Sequence, residues 1–405
     1  MATMKDPADI LIQEAIEDHL DALIQAISGR VEALISEQLG KVSSEGLTVS
    51  EAMAKYPEIM DRYEQLLADG RLTASATVQQ VFNEMATLND EWASRYYEAM
   101  GRAQTAAASH EVMGGILADA VVRSSEVING TLNSSVIGII ASDKRFIGFG
   151  DYYRQSVSEA VAGMLAGKES YEAAVKKSVE QMARSGLRTV TTPTGRTVKV
   201  IGAKAEKITS SGEYITRELY GTIRTEVMDN YRQTLSAMRQ VQGREFGANG
   251  VEISAHAPCA PDHVRWQGQQ LSNAEFKEIN DSLPRPYEAW NCKHVVSPII
   301  LGLSRPAYMK DELDEMKRSS EELVTVTGLG GGELTRTRYE MTQYQREIER
   351  SLRREKNLSY QLKTAEQDTK SLDAAIRQRQ AEYRRITAEA GLTTRNERTR
   401  AYIAK

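Results

Sequence analysis

Apolar residues recur at helical spacing along most of this chain, and that pattern restricts it to a mainly α architecture. Ile16, Leu20, Leu23, Ile27, Val31 and Leu34 follow at steps of 4, 3, 4, 4 and 3, which puts them on one face of a helix over 8–40. Val78, Val81, Met85, Leu88, Trp92 and Tyr96 form a second stripe within a helix over 73–100. Tyr214, Leu219, Ile223, Val227, Tyr231, Leu235 and Met238 form a third, within a long helix over 213–245. Leu358, Leu362, Ala365, Thr369, Leu372 and Ile376 alternate steps of 4 and 3, a heptad-like seam. Further helices are predicted over 50–69, 102–127, 151–166, 170–185 and 307–322.

One stretch departs from this period. Of the chain's five histidines and two cysteines, His256, Cys259, His263, Cys292 and His294 lie within 39 residues, and only His19 and His110 lie elsewhere. Six of the nine prolines fall between 258 and 306, with two of the three tryptophans, Trp266 and Trp290. Two cysteines cannot staple a chain of 405 residues, so a reducing compartment is the default expectation.

These patterns divide the chain. Residues 1–127 read as a helical arm or bundle, elongated in outline. Residues 128–250 hold helices, the long helix 213–245, and a β-hairpin over 187–200 around Thr192-Pro-Thr-Gly195. Residues 251–306 form a compact irregular α+β module. It begins with a strand at Val251–Ala255 and contains the capping box Ser272-Asn-Ala-Glu275. A helix and the start of a linker occupy 307–327, glycine-rich 328–332 reads as flexible linker, and 333–405 reads as one basic helical segment.

Charge narrows the function classes. The net of −5 argues against an evenly basic nucleic-acid coat. The first 50 residues carry nine Asp/Glu against three Lys/Arg, whereas 336–405 carries 17 Lys/Arg against 10 Asp/Glu. A solvated helix face explains the basic end, and so does an arm that meets an acidic partner or DNA phosphates. No apolar run reaches the roughly 18 residues of a membrane span, and the first residues lack the apolar core of a secretory signal.

The His/Cys spacing, His256-x2-Cys259-x3-His263 and then Cys292-x-His294, brings together the nitrogen and sulfur donors of a structural zinc site. The same residues fit three other readings: buried packing, a disulfide formed on oxidation, and catalysis. In the last, Asp262, His263, His256 and His294 would hold a divalent ion of a nuclease, with Arg265 and Lys293 on the phosphate. No HExxH or GxSxG pattern supports an enzyme. The stretch Gly163-Met-Leu-Ala-Gly167-Lys168 is one residue short of a phosphate loop, and Glu169 stands where Ser or Thr belongs. Trp266 and Gln267 read as local core or as a docking contact.

Several stretches together resemble the minor capsid protein 2 family of tailed bacteriophages. They are Ser254-Ala-His256, Pro261-Asp-His263-Val-Arg-Trp-Gln-Gly268, Asn291-Cys-Lys-His294 and Gly302-Leu-Ser-Arg-Pro306. Gly186-Leu-Arg-Thr-Val190 with Thr194-Gly-Arg196 resembles the family's hairpin. Tyr339 through Arg354, with Gln343, Arg346, Arg350 and Arg353, resembles its Tyr/Gln/Arg-rich helix. The likeness spans about 185–360.

The resemblance implies a non-enzymatic structural protein of the virion head, assembled in the host cytoplasm. It implies a place near the portal vertex and a part in head assembly or in DNA packaging and ejection. Its partners would be the portal protein, the major capsid protein or both, in multiple copies, with non-specific contact to packaged DNA through Arg346, Arg350, Arg353 and Arg354. It points to His256, His263, Cys292 and His294 as shared ligands of a structural zinc. Cys259 stands where the family more often has Gly or Ala and is an additional candidate. The alternative is a virion-carried metal-dependent nuclease or hydrolase.

Overall fold

The computed structural model describes residues 7–45, 47–99, 107–133, 137–141, 145–165, 170–185, 187–190, 200–201, 204–205, 216–289 and 292–401. Among the described residues the chain forms eleven α-helices and four small antiparallel sheets, the mainly α class that the apolar spacing predicts. Helices α1 (Pro7–Ser44), α2 (Val49–Ala54), α3 (Tyr56–Ala99) and α4 (Ala107–Thr131) come first. Strands β1 (Ile137–Ile140) and β2 (Phe146–Gly148) precede α5 (Phe149–Leu165) and α6 (Tyr171–Ser185). Strands β3 (Arg188–Val190), β4 (Val200–Ile201), β5 (Lys204–Ala205) and β6 (Thr216–Glu218) lead into α7 (Leu219–Glu245). Strands β7 (Gly250–Ile253) and β8 (Gln270–Ser272), helix α8 (Asn273–Ser282) and strand β9 (Val296–Ile299) build the His/Cys module. The chain continues through α9 (Lys310–Glu321), β10 (Leu323–Thr327), β11 (Glu333–Thr337), α10 (Arg338–Thr364) and α11 (Lys370–Glu389).

α1, α3, α4 and α7 pack as a bundle. Their apolar stripes turn inward: Val31, Ile35 and Leu39, then Val78, Phe82 and Met85, then Ala120 and Ile128, then Val227, Tyr231 and Leu235 are all buried. Tyr63 stacks on Phe149 with ring centroids 4.0 Å apart, which fixes α5 against α3.

The predicted hairpin over 187–200 takes a different form. β3 lies between β1 and β6 in a sheet ordered β2-β1-β3-β6, while β4 pairs with β5. The apolar run before it supplies the reason, because Ile137 and Ile139 are fully buried and make β1 a core strand with an edge to fill. The turn residues 191–199 lie outside the described residues, as does Tyr214.

The glycines at 328–332 close a hairpin rather than a flexible linker. Gly330 and Gly331 take φ of +83° and +91°, and β10 pairs with β11 from Leu323↔Thr337 to Thr327↔Glu333. The C-terminal segment is likewise two helices, because Glu366 at φ +58° turns the chain between α10 and α11. The heptad-like seam therefore crosses from α10 to α11, with Leu372 packed on the same core as Leu358. Leu358, Leu362 and Ala365 enter the bundle core, while Ile348, Leu352, Tyr383 and Ile386 form a second core under the hairpin.

The module's sheet has β7 between β8 and β9, with β9 against α7. The Ser272 capping box forms: Ser272 Oγ accepts from the Glu275 amide at 3.2 Å, and Glu275 Oε2 accepts from the Ser272 amide at 2.8 Å. Gly268 takes φ +72°, and a Cβ there would meet Leu313 Cδ2 of α9 at 2.3 Å. Gly268→Ala should therefore lower stability by about 1–3 kcal/mol, read as a fall in the urea midpoint.

Candidate metal centre

The module's two outer ligand stretches meet because β7 and β9 are antiparallel neighbours, with Ile253 opposite Val296. The residues leaving β7 and those entering β9 therefore lie side by side. The Ser254 amide donates to the Val295 carbonyl at 2.9 Å, and the Val295 amide donates to Ser254 Oγ at 2.8 Å. This register stacks the rings of His256 and His294, with centroids 4.4 Å apart and planes at 26°. A turn beyond β7 carries Cys259 and His263 back over the same end. The Cys259 amide is held by Ser320 Oγ of α9 at 2.9 Å.

All five residues converge. Cys259 Sγ lies 3.3 Å from His294 Nε2, and Cys292 Sγ lies 3.5 Å from His263 Nδ1. The remaining nitrogens settle the tautomers. His294 Nδ1 is 2.8 Å from the Ser254 carbonyl and His263 Nε2 is 2.7 Å from the Arg285 carbonyl, so each of those nitrogens carries the proton and donates. The opposite nitrogen of each ring then turns its lone pair toward a cysteine sulfur. Histidine metal ligands are oriented this way, with the distal N–H fixed by a carbonyl. Among the described residues, ligand atoms of His256, Cys259 and His294 all lie within 4.8 Å of one another, and this group can hold a metal ion. Cys259 thus joins the group directly. His263 and Cys292 face each other beside it, and His263 stacks on Tyr287 at 4.3 Å.

Burial sets the charge states. It lowers His256 to about 4, helped by Lys293, and holds His294 well below and His263 below the ordinary histidine value of 6.5. Burial pushes the Cys259 thiol up to about 12, with the Cys292 thiol adding to it, and raises Cys292 as well. Neutral imidazoles are ready ligands, while the thiols become thiolates when a cation replaces their protons. At these three rings, in metal-free protein, the unfolded chain takes up protons below pH 6.5 before the fold does, and at His256 this lasts to about pH 4. The stability the histidines contribute is therefore full above about pH 6.5 and falls as pH drops through that window, against the opposite slope of buried Glu288, which is raised to about 7. Histidine ring titration followed by NMR in chelator, with all three rings protonating at the ordinary value of 6.5, would contradict this.

The other predicted positions separate. Gln267 is buried, and its Oε1 accepts from the His256 amide at 3.1 Å, so it braces the centre. Trp266 packs against the module core of Val251, Ile253, Tyr287 and Val296, with Arg265 over its ring at 4.2 Å. On α10, Arg350 and Arg354 are exposed and Arg346 is half-buried, but Arg353 is an interior residue, 5% exposed. Arg353 therefore cannot reach a nucleic-acid backbone. Trp290 and Asn291 lie outside the described residues. Sequence reasoning missed Arg285 and Ser320 and gave Ser254 no role beyond its place in a resembling stretch; these residues act on the centre through a carbonyl or a hydroxyl. Only the Pro284-Arg-Pro286 stretch hinted at a shaped loop beside it.

No curated protein and no solved structure matches the chain. The family model for phage minor capsid protein 2 matches residues 96–387, which take in the bundle helices α4 and α7, the whole His/Cys module and helix α10. The chain belongs to the phage minor capsid protein 2 family, whose role is structural and whose place is the virion.

Proposed function

We propose that this chain is built into the phage head near the portal vertex, in multiple copies, and assists head assembly or DNA packaging and ejection. Its partners are the portal protein, the major capsid protein or both, and assembly takes place in the host cytoplasm. The observation that carries this reading is the family match over 96–387. Low-salt pull-down with excess portal and major capsid proteins tests the partners. Recovery of either supports the reading, and recovery of neither contradicts it.

The centre binds a structural zinc through His256, Cys259 and His294, with the adjoining His263–Cys292 pair as the source of the fourth ligand. Imidazole nitrogen and thiolate sulfur are the donors zinc takes in closed structural sites. The metal would tie the ends of β7 and β9 to the loop carrying Cys259.

The basic face of α10 contacts packaged DNA through its phosphates, without reading sequence. Arg350 and Arg354 are the exposed pair that can do so. Changing both to Ala should weaken binding equally for unrelated sequences and flatten the log–log salt dependence by about 1–2. Fluorescence anisotropy over a salt series reads both. An unchanged slope rules out that pair.

A further inference from the structure

The His/Cys cluster forms one wall of a cavity of about 430 Å³ between the module and the C-terminal helices. Six cationic side chains line it: Arg285, Lys293, Arg338, Arg346, Arg395 and Arg398. No Asp or Glu lines it. The acidic groups near these cations stand off the lining. Asp262 bonds Arg285 at 2.8 Å, Glu322 bonds Arg338 at 2.6 Å, and Glu349 lies in the field of Arg346, Arg395 and Arg398. The lining itself, with six cations and no carboxylate, presents a positive wall. Arg285 Nε is buried and donates to no group among the described residues.

A cavity of this size is of the class that takes small molecules, and it is too small for duplex DNA. Its lining is more than a charge trap. Tyr339 lines it with a ring on which a base can stack, and Gln343 brings a side-chain amide able to meet a base edge. Guanidinium groups suit the oxygens of a phosphate.

We propose that this cavity binds a nucleoside phosphate, with the phosphate among the arginines and the base toward Tyr339 of α10. The site is distinct from the exposed Arg350 and Arg354, and it stands whether or not the chain acts at a portal. The same chemistry comes from a free nucleotide or from the 5′-phosphorylated end of a DNA strand.

Calorimetry on the full chain as purified, at low salt, tests it with dAMP, inorganic phosphate, and a single-stranded hexamer with and without a 5′-phosphate. The expected result is that dAMP or the phosphorylated hexamer binds at least about tenfold tighter than inorganic phosphate, about 1.4 kcal/mol. Arg346→Ala should weaken that binding at least about tenfold, Arg346→Lys should recover part of it, and Arg377→Ala, at an exposed cation of α11 outside the cavity, should leave it unchanged. Zinc content and circular dichroism of each variant show that the fold is intact. Should Arg346→Ala misfold, Gln343→Ala with its loss of preference for dAMP over phosphate serves in its place. A hexamer that exceeds dAMP only when phosphorylated identifies a strand end, and dAMP equal or tighter identifies the free nucleotide. Binding by none of the probes overturns the proposal. So does inorganic phosphate matching the tighter organic probe, or equal losses in Arg346→Ala and Arg377→Ala.

Discussion

Protein purified without chelator should carry about one zinc per chain, and Cys259→Ser should release it. The expected consequence is large because the module has little else to hold it. Its strands run three or four residues, its one helix, α8, has no buried residue, and its apolar core is small. Structural zinc contributes roughly 10–16 kcal/mol of apparent binding energy at neutral pH, comparable to the whole stability of an ordinary domain. Chelation should therefore expose the loop over 257–268 to protease while the bundle keeps its helical circular dichroism. Cys292→Ser should weaken zinc retention if that thiol supplies the fourth ligand. Full zinc retention in Cys259→Ser would show that His256, Cys259 and His294 do not form the centre. Metal-free protein of undiminished stability would show that the five side chains only pack.

Glu32→Ala should produce the second large effect, at a place remote from the module. Glu32 is fully buried on α1 and accepts from Asn357 and Gln361 of α10, the latter at 3.4 Å, while Ser36 donates to Gln361 Oε1 at 2.6 Å. Removing the carboxylate leaves the buried amide N–H groups of Asn357 and Gln361 without that acceptor, at about 1–3 kcal/mol each. The contact has no slack, because a Cβ on Gly40 would lie 2.9 Å from the Ala365 backbone. Gly40→Val should accordingly loosen the same helix pair. Both variants should lower the urea midpoint, and protease should release α10 and α11 before it cuts the bundle. A loss under about 0.5 kcal/mol for Glu32→Ala, the range of an ordinary surface change, would mean that the network is dispensable.

The helices were legible because their signal is local. The stripes on α1, α3 and α7 state a period that any helix of that length must bury. The pairing of β3 with β1 and β6 was not, since a strand's partners lie outside its own sequence. The glycines at 328–332 follow the same rule: linker and hairpin turn share a composition, and only β10 and β11, lying against each other, decide between them. The candidate site shows a similar division. Rarity and spacing located its five residues, but the choice among them depends on which ring nitrogen a carbonyl occupies. Ser254 and Arg285 make that choice through backbone oxygens that no side-chain motif records. Arg353 taught the reverse lesson, since a basic residue on a basic helix turned inward against the Arg398 carbonyl, 3.4 Å away.

Quantitative mass spectrometry of purified DNA-filled heads decides whether this chain is a component of the virion. This chain should be found in the heads, in several copies per portal ring and resistant to a high-salt wash. Its absence from purified heads, with the full amount left in the soluble lysate, would contradict a structural place in the virion.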